Sequence, residues 1–246
     1  MEWRKGYLDL VLVPLGLLFH IAYNLWLIHK VRSQPLHTII GINSAGRRLW
    51  VQAIIKDNEK KNILAVQTIR NTIMGSTLMA TTSIVLCSGL AAVLSSTYSV
   101  KRPLYDSVFG AHGDFVVALK YVVLLLVFLF AFLCHSLSIR FVNQANFLIN
   151  VPPAAAAASS AASIITADYV ADLLEKGFAL NTVGNRLFYA ALPLLLWIFG
   201  PVLVVFSSLT MVLILYNLDV VCEEGKGNSW KKKRNNNENE MEECSV

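Results

Sequence analysis

The amino-acid sequence predicts an all-α membrane protein built as a bundle of four transmembrane helices. Only 15% of its 246 residues are charged and 55% are hydrophobic, whereas ordinary soluble domains carry about 25% charged residues. Thirty consecutive residues without formal charge lie between Arg70 and Lys101, and thirty-two lie between Arg186 and Asp219. Because no water-exposed surface is built from uncharged runs of that length, we predict an integral, multi-pass membrane protein.

Composition and motifs argue against three other classes of protein. Four cysteines in 246 residues are too few for a secreted disulfide scaffold. The sequence pI near 9.0 arises from loop and tail charges rather than from one basic face, which argues against a nucleic-acid binder. The chain contains no nucleophile-elbow, phosphate-loop, dinucleotide or zinc-protease motif, so no enzymatic activity, metal or cofactor is predicted.

Four segments are apolar and long enough to cross a hydrocarbon core of about 30 Å, which takes about 20 helical residues. They are residues 8–28, 72–94, 121–139 and 187–216. Continuous apolar runs exclude the alternating strands of a membrane barrel. We predict one membrane domain over residues 1–221, followed by a polar, asparagine-rich tail over 222–246 that is disordered.

The fourth segment is overlong and contains three helix-breaking residues, Pro193, Gly200 and Pro201. A proline inside a helix removes one backbone hydrogen bond and clashes with the carbonyl four residues earlier. We therefore expect a kink or break near the middle of the bilayer, which would serve as a hinge if the protein transports a solute.

The sequence leaves the membrane orientation open. With four spans, both chain ends fall on one side, which then carries ten lysines and arginines, while the opposite side carries eleven. The positive-inside rule does not separate these counts. Residues 141–167 are also uncharged, and it stays open whether this stretch contacts or crosses the membrane. The identity of the membrane, plasma membrane or endomembrane, is equally undetermined.

Long helical extensions and amphipathic helices are predicted on one side of the membrane. The helical pattern that starts at Asn58 runs into the second span, and the third span has no breaker before Pro152. A helix capped at Asn43 and Ser44 would extend to Ile55. Its apolar face would consist of Leu49, Trp50, Ala53 and Ile54.

A second amphipathic helix is predicted before the fourth span, with Gly177 as its stop. Its polar face carries three carboxylates, those of Asp168, Asp172 and Glu175. An acidic face disfavours anionic lipid, so we expect this helix to pack on the protein. Its apolar face consists of Ile165, Tyr169, Val170, Leu173, Leu174 and Phe178.

Polar residues at the helix ends on the large-loop side predict a polar collar around a vestibule. Buried polar groups in a membrane protein face the bundle interior, a partner or water. A ring formed by Arg70, Arg140 and Arg186 therefore favours an anion or a small polar solute. The structural alternative is that hydroxyls serve helix packing and arginines extend to the membrane surface. The polar collar consists of His20, Asn24, Gln67, Arg70, Asn71, Thr77, Thr81, His135, Arg140, Asn143, Asn146 and Arg186.

Two further chemistries stand as minor alternatives. His20 and His135 are the histidines within the spans, and they would ligate a haem only if helix tilt removed their difference in depth. His135 beside Ser136 is a candidate base for an intramembrane enzyme, although no supporting motif accompanies it. Cys222, which follows the fourth span, is a candidate palmitoylation site.

Several motifs resemble family 599 of the domains of unknown function. The resemblance covers residues 5–220 and leaves out the tail. It implies a multi-pass membrane protein from a family with many plant members, and it supports the four-span architecture without implying a substrate. The motifs are Tyr7-Leu8-Asp9-Leu10-Val11-Leu12-Val13-Pro14, Gly41-Ile42-Asn43, Arg47-Arg48-Leu49-Trp50-Val51, Ala65-Val66-Gln67-Thr68-Ile69-Arg70-Asn71, and the stretch from His135-Ser136 to Asn143.

The sequence favours an oligomeric membrane channel or transporter for an ion, with anions favoured, or for a small polar solute. Four short helices enclose little more than a packed core, so we expect a water-filled path between the subunits of a homo-oligomer. The small residues Gly75, Thr82, Gly89 and Ala92 would permit close approach of two copies. The alternative function is that of a membrane scaffold or regulatory subunit that transports nothing.

Overall fold

A computed structural model describes residues 2–56, 58–99, 114–151 and 166–221. These ranges are almost entirely helical, which confirms the predicted all-α class. The helices are α1 (Glu2–Ser33), a 3₁₀ turn (Pro35–His37), α2 (Ile39–Lys56), α3 (Asn58–Ser99), α4 (Asp114–Ile149), α5 (Ala167–Leu196) and α6 (Pro201–Asp219). The predicted tail lies outside the described residues.

Four of these helices are long and apolar enough to span a membrane, as predicted. The apolar stretches are Val11–Ser33, Ile63–Ser96, Val116–Ile149 and Pro201–Asp219. At 1.5 Å per residue, the 34-residue stretches of α3 and α4 are each about 51 Å long. Because this exceeds the hydrocarbon thickness of about 30 Å, both helices project well beyond it, which confirms the predicted extensions.

The predicted break in the fourth segment is confirmed, and it separates two helices. Its predicted place near mid-bilayer is wrong, because Trp197, next to the break, contacts Lys120 near the start of α4. Helix α5 ends at Leu196, and α6 begins at Pro201, directly after the extended residue Gly200. Proline suits the first helical position because its missing N–H has no partner there in any case. Pro193 lies inside α5, which continues for three more residues. The range 187–216 is therefore the end of one helix and most of the next.

The predicted helix stop at Gly177 is wrong, because α5 runs through this residue without interruption. Gly177 is buried where α5 meets α4, and a Cβ atom there would lie 2.8 Å from Val142 Cγ2. Its carbonyl accepts a 2.7 Å hydrogen bond from Ser138 Oγ. Glycine is needed at this position for close helix approach rather than for termination.

Helices α4 and α5 run antiparallel over most of their length, because higher residue numbers in one meet lower numbers in the other. The C-terminal half of α5 therefore follows the most apolar part of α4 through the bundle. Helix α3 also runs antiparallel to α4, with Cys87 Sγ donating to the Leu125 carbonyl at 3.5 Å. The α4–α5 contacts pair Val142 with Gly177, His135 with Gly184, Phe128 with Phe188, and Lys120 with Trp197.

Helix α6 runs parallel to α1. Gly16 packs against Val204 and Ser208, and Tyr23, about two turns further along α1, donates a 2.5 Å hydrogen bond to Asp219. Residue numbers thus increase in the same direction along both helices. Helix α4 also runs toward the C-terminal end of α1, because its last turns pack against α2. Since α4 and α6 run in the same direction, α5 carries the chain back between them.

The two ends of the described chain consequently lie at opposite ends of the bundle. Beyond α6, Val220 forms an antiparallel bridge with Thr38, and the Val221 amide donates to the His37 carbonyl at 3.2 Å. Since His37 follows the C-terminus of α1, Val221 lies far from Glu2 along an α1 helix about 48 Å long. The expectation that both chain ends lie on one side is therefore wrong, because α5 adds a return pass through the bundle to the four predicted crossings.

Helix α2 packs on the projecting parts of α3, α4 and α5, and together they form a unit that we call the helical head. Ile149 and Val170 belong to the same core, so both flanks of residues 152–165, which lie outside the described part, are in the head. The buried residues of this core are Val51, Ile54, Ala65, Ile69, Val142, Ala145, Ile149, Val170, Ala171, Leu173 and Leu174.

The predicted start of α2 at Asn43 and Ser44 is wrong, since the helix begins one turn earlier at Ile39. The buried Thr38 supplies the cap, because its Oγ1 accepts a 3.2 Å hydrogen bond from the Gly41 amide. Gly41 is required there because a Cβ atom would lie 2.1 Å from the Pro35 carbonyl oxygen.

The predicted apolar faces of the two amphipathic helices, α2 and the start of α5, are confirmed in part. In α2 the buried residues are Gly41, Val51 and Ile54, and Trp50 packs at the edge of the core, whereas Leu49 and Ala53 are exposed. In α5 the predicted burial of Val170, Leu173 and Leu174 is confirmed and Phe178 packs at the edge of the core, but Tyr169 is exposed. Ile165 lies outside the described residues. The predicted packing of this acidic helix on the protein is confirmed by its contacts with α2 and α4.

Candidate functional site

The structure divides the predicted polar collar between two regions. Five members on α3 are exposed, and Arg140 on α4 is exposed as well. His20 and His135 are instead buried inside the bundle, and Arg186 is mostly buried in an ion pair. Asn24, Asn143 and Asn146 are partly exposed. The exposed members on α3 are Gln67, Arg70, Asn71, Thr77 and Thr81.

The exposed polar residues of α3 continue to Ser88 and form what we call the outer stripe: Gln67, Arg70, Asn71, Thr77, Thr81 and Ser88. At 100° per residue they fall within an arc of about 120°, opposite the buried face that holds Ala65, Ile69 and Cys87. The stripe is about 32 Å long. Thr77 Oγ1 and Ser88 Oγ each donate to a carbonyl one turn back, at 2.8 and 3.0 Å.

A flank of small residues adjoins the outer stripe on the same helix. A Cβ atom built on Gly75 or Gly89 would meet no heavy atom within 4 Å, so both residues face open space in the single chain. Thr82 lies between them on this edge, about 100° around the helix from Thr81. The outward surface of α3 therefore carries a polar edge and an edge of small residues, with the exposed apolar side chains of Met74, Leu78 and Val85 interspersed among them.

A buried polar network connects α3, α4 and α5 just below the head. Ser76 Oγ donates to Asn181 Oδ1 at 3.1 Å, and His135 Nδ1 lies 3.0 Å from the same oxygen. Because that oxygen only accepts, Nδ1 is the protonated ring nitrogen. His135 Nε2 has no partner among the described atoms and faces Gly184, where a Cβ atom would lie 2.8 Å away.

A second buried network connects α1, α5 and α6. The Asp219 carboxylate accepts hydrogen bonds from Tyr23 Oη, at 2.5 Å, and from Arg186. The side chains of Arg186 and Asp219 are only 16% and 9% exposed. Asp219 therefore neutralises Arg186, which does not act as a free cation. His20, three residues before Tyr23, is also buried, and its Nε2 has no partner among the described atoms.

The head carboxylates pair with the arginines of α2. Arg47 contacts both oxygens of Glu175, at 2.7 and 3.1 Å, and lies over the Phe178 ring. Arg48 forms an exposed 2.5 Å pair with Asp172. Within the described ranges, neither Arg70 nor Arg140 has a carboxylate at ion-pair distance. These two arginines are therefore the collar cations that remain available to a solute or to lipid.

Two recesses lie beside these groups. One, of about 500 Å³, opens between α2 and α3, with Val142, Leu174 and Phe178 at its base. The other, of about 380 Å³, lies at the head end of the outer stripe and is lined by Ile63, Val66, Gln67, Arg70 and Asn150. The second recess therefore places an unpaired arginine beside two amides.

The geometry bears on the minor alternatives. The described ranges hold no cluster of three or more His, Cys, Asp and Glu side chains suited to a metal. His135 uses one ring nitrogen for Asn181 and presses the other against α5, so a haem iron would reach it only if α4 and α5 separated. Cys222, the candidate palmitoylation site, lies outside the described residues.

Sequence reasoning missed Ser76, Tyr23, Asn181 and Asp219. Asp219 could have been found from the sequence, because it and Arg186 stand at the two ends of the 32-residue uncharged run. A chain reversal at Gly200 and Pro201 brings two such boundary charges together. Asn181 and Ser76 carried no such signal, since isolated polar residues in helices are common.

Comparison with known proteins places the chain in a family. A family described as a protein of unknown function, DUF599, matches residues 11–224. The chain belongs to the DUF599 family. The DUF599 match covers the outer stripe, both buried networks and the whole head. No curated protein matches the chain, and no solved structure matches it either.

Proposed function

We propose that this DUF599 protein forms a homo-oligomer in the lipid bilayer and passes an ion, with anions favoured, or a small polar solute along a path lined by α3. The outer stripe is the observation that carries this proposal. It places six polar side chains on the outward face of a membrane-spanning helix over about 32 Å. Transport needs no catalytic group, and the proposal assigns none.

The packed interior of the chain supports a path between copies rather than through one copy. Leu124 and Phe128 on α4 are fully buried, and Leu194 on α5 is 1% exposed. They belong to one apolar core with residues of α1, α3 and α6. A continuous core of buried apolar side chains offers no polar lining for a water-filled passage, so a polar path has to lie on an outer surface.

The two edges of α3 suit complementary roles in an oligomer. The small edge at Gly75 and Gly89 lets another helix approach closely, which is how helices associate in membranes. The polar edge then faces the space enclosed by the copies. Arg70 stands at the head end of this edge beside the amide of Gln67, so an entering anion meets a fixed positive charge.

Removal of one stripe hydroxyl is expected to reduce flux, whereas removal of an exposed hydroxyl on another helix is not. Valine has nearly the shape of threonine, so Thr81→Val removes a polar group from the path without changing its width. Thr210→Val is the control, because Thr210 is exposed on α6, away from both edges of α3, and its Oγ1 donates to the Phe206 carbonyl of its own helix at 3.0 Å. Flux of anions and small polar solutes into liposomes should fall several-fold for Thr81→Val and stay near the unsubstituted value for Thr210→Val. Equal effects of the two variants would contradict a path along the stripe.

Neutralisation of the unpaired collar arginines is expected to lower anion flux selectively. Arg70→Gln and Arg140→Gln each remove a positive charge that acts over a Debye length of about 8 Å. Anion flux should fall relative to cation flux, and the loss should shrink at high salt. Arg48→Gln is the control, because Arg48 is already paired with Asp172 in the head. An unchanged anion-to-cation ratio in both variants would remove the preference for anions.

A scaffold or regulatory subunit that transports nothing is the second candidate, and the sealed interior of the single chain favours it. This role needs the helical head as a rigid binding unit, and the ion pairs of Arg47 and Arg48 fasten α2 to α5 there. Purified protein that assembles and yet passes no ion or solute under any condition would leave the scaffold role standing.

A further inference from the structure

We infer that the helical head faces the cytoplasm and that its unpaired cations contact the anionic phospholipids of that leaflet. The N-terminus of α1 then lies on the opposite side of the membrane. The orientation is independent of the proposed function, because it depends only on helix direction and on the placement of charge. The lipid contact competes with that function, because Arg70 and Arg140 cannot line an enclosed anion path and bind headgroups at once.

The direction of α6 changes the side of the membrane on which the charges of the tail are counted. The C-terminus of α1 lies on the same side of the bundle as the head, and the bond between Val221 and His37 places the end of α6 there as well. The residues after Val221 therefore start at the head, with five lysines and arginines among them. The sequence count of ten against eleven had placed these five on the other side.

With the tail reassigned, the head side has sixteen lysines and arginines and the other side has five. The five are Arg4, Lys5, Lys101, Arg102 and Lys120. Cationic residues close to the ends of membrane helices are retained in the cytoplasm, and acidic residues contribute little to this bias. If Arg47, Arg48 and Arg186 are set aside because carboxylates pair with them, the head side still has thirteen lysines and arginines.

Exposed cations of three helices lie at one depth on the head side. Asn181 contacts both Ser76 and His135, which places these two residues level with each other. Arg70 lies about 9 Å beyond Ser76, and Arg140 lies about 8 Å beyond His135, both toward the head. The bond from Ser138 to the Gly177 carbonyl brings Lys176 to the same depth. Arg70, Arg140 and Lys176 are all exposed, and we call them the cationic belt.

Aromatic residues mark the membrane surface next to this belt. Trp26 packs between Tyr23 and Tyr216, with ring centroids 5.9 and 5.7 Å apart, and Lys30 lies 4.9 Å from the Trp26 ring. Tryptophan and tyrosine are concentrated at the headgroup level of membranes. Exposed cations next to an aromatic cluster are complementary to the net negative headgroups of anionic phospholipids, which are concentrated in the cytoplasmic leaflet.

Glycosylation mapping of the full chain tests the orientation. The sequence contains no Asn-x-Ser/Thr acceptor, so an added acceptor reports its own location. Acceptors on flexible linkers are placed before Met1, within residues 100–113, within 154–163 and after Val246, and each chain is synthesised in microsomes. We expect glycosylation of the first two sites only. Glycosylation of the last two sites only would show the opposite orientation, and identical results at the two chain ends would overturn the parallel arrangement of α1 and α6.

Thermal unfolding in lipid nanodiscs tests whether the cationic belt binds anionic phospholipids. The midpoint of thermal unfolding is measured in phosphatidylcholine alone and in phosphatidylcholine with phosphatidylserine. Anionic lipid should raise the midpoint of the unsubstituted protein, and the triple variant Arg70→Gln, Arg140→Gln, Lys176→Gln should lose most of that rise. Arg48→Gln, a head cation already paired with Asp172, should keep it. An equal rise in the triple variant and the unsubstituted protein would overturn the assignment of the belt to anionic lipid.

Discussion

Replacement of Asp219 by alanine is expected to lower the free energy of unfolding by about 3 to 5 kcal/mol, the usual result of removing one partner of a buried ion pair. The variant leaves the Arg186 guanidinium buried without its counter-charge, since that side chain is only 16% exposed. It also leaves the Tyr23 hydroxyl without its acceptor. The midpoint of denaturant or thermal unfolding in detergent or nanodiscs measures this loss.

Two comparisons distinguish the cost of a buried unpaired charge from a nonspecific loss of stability. The exposed pair of Arg48 and Asp172 provides the first, because Asp172→Ala should cost less than about 1 kcal/mol. The triple variant Tyr23→Phe, Arg186→Met, Asp219→Leu provides the second, because apolar residues of similar size often replace a buried ion pair at little cost. Recovery of most of the lost stability is expected. An Asp219→Ala variant as stable as Asp172→Ala would show that the network does not hold α1, α5 and α6 together.

Substitution of Gly184 by alanine is expected to destabilise the protein by about 1 to 3 kcal/mol through overpacking. A Cβ atom at this position would lie 2.8 Å from His135 Nε2 and 2.9 Å from Cε1. The His135 ring has little freedom to move away, because Nδ1 is bonded to Asn181 and the side chain is fully buried. The same unfolding midpoint measures the change.

Gly46 is the matched control for this substitution. It also lies inside a helix, but a Cβ atom there would meet nothing within 4 Å. Because alanine favours the helix over glycine by about 1 kcal/mol, Gly46→Ala should be neutral or stabilising. If Gly184→Ala were equally well tolerated, the close approach of α4 and α5 at His135 would be excluded.

The parts of the fold that the sequence predicted are those fixed by local chemistry. Long apolar runs identified four membrane-spanning helices, and Gly200 with Pro201 located a helix break, because a proline acts within one helical turn. That this break reverses the chain was not predicted. Gly177 shows where the same logic fails. A glycine inside a helical pattern reads as a stop, whereas its role is set by Val142 on another helix, which no local pattern reveals.

The sequence predicted how deep the candidate site residues lie in the membrane, but not which way each of them faces. Counting residues along each helix placed the collar members near one side of the membrane, and His135 and Arg140 do lie there. It did not show which face of each helix meets its neighbours, so Thr77 and Thr81 were expected around the same vestibule as His135. Helix packing instead turned α3 so that the residues at Ala65, Ile69 and Cys87 face inward and the polar residues face outward.

The parallel pairing of α1 with α6 sets a constraint on biosynthesis. Tyr23 and its partner Asp219 are 196 residues apart, so α1 emerges from the ribosome long before the helix that covers it. At about 5 to 20 residues per second, that interval is roughly 10 to 40 s. During this time the buried face of α1, which includes His20 and Tyr23, stands in the membrane without α6. A chain that terminates before Asp219 never covers that face, so early termination of translation would produce a substrate for membrane quality control rather than a shortened but assembled protein.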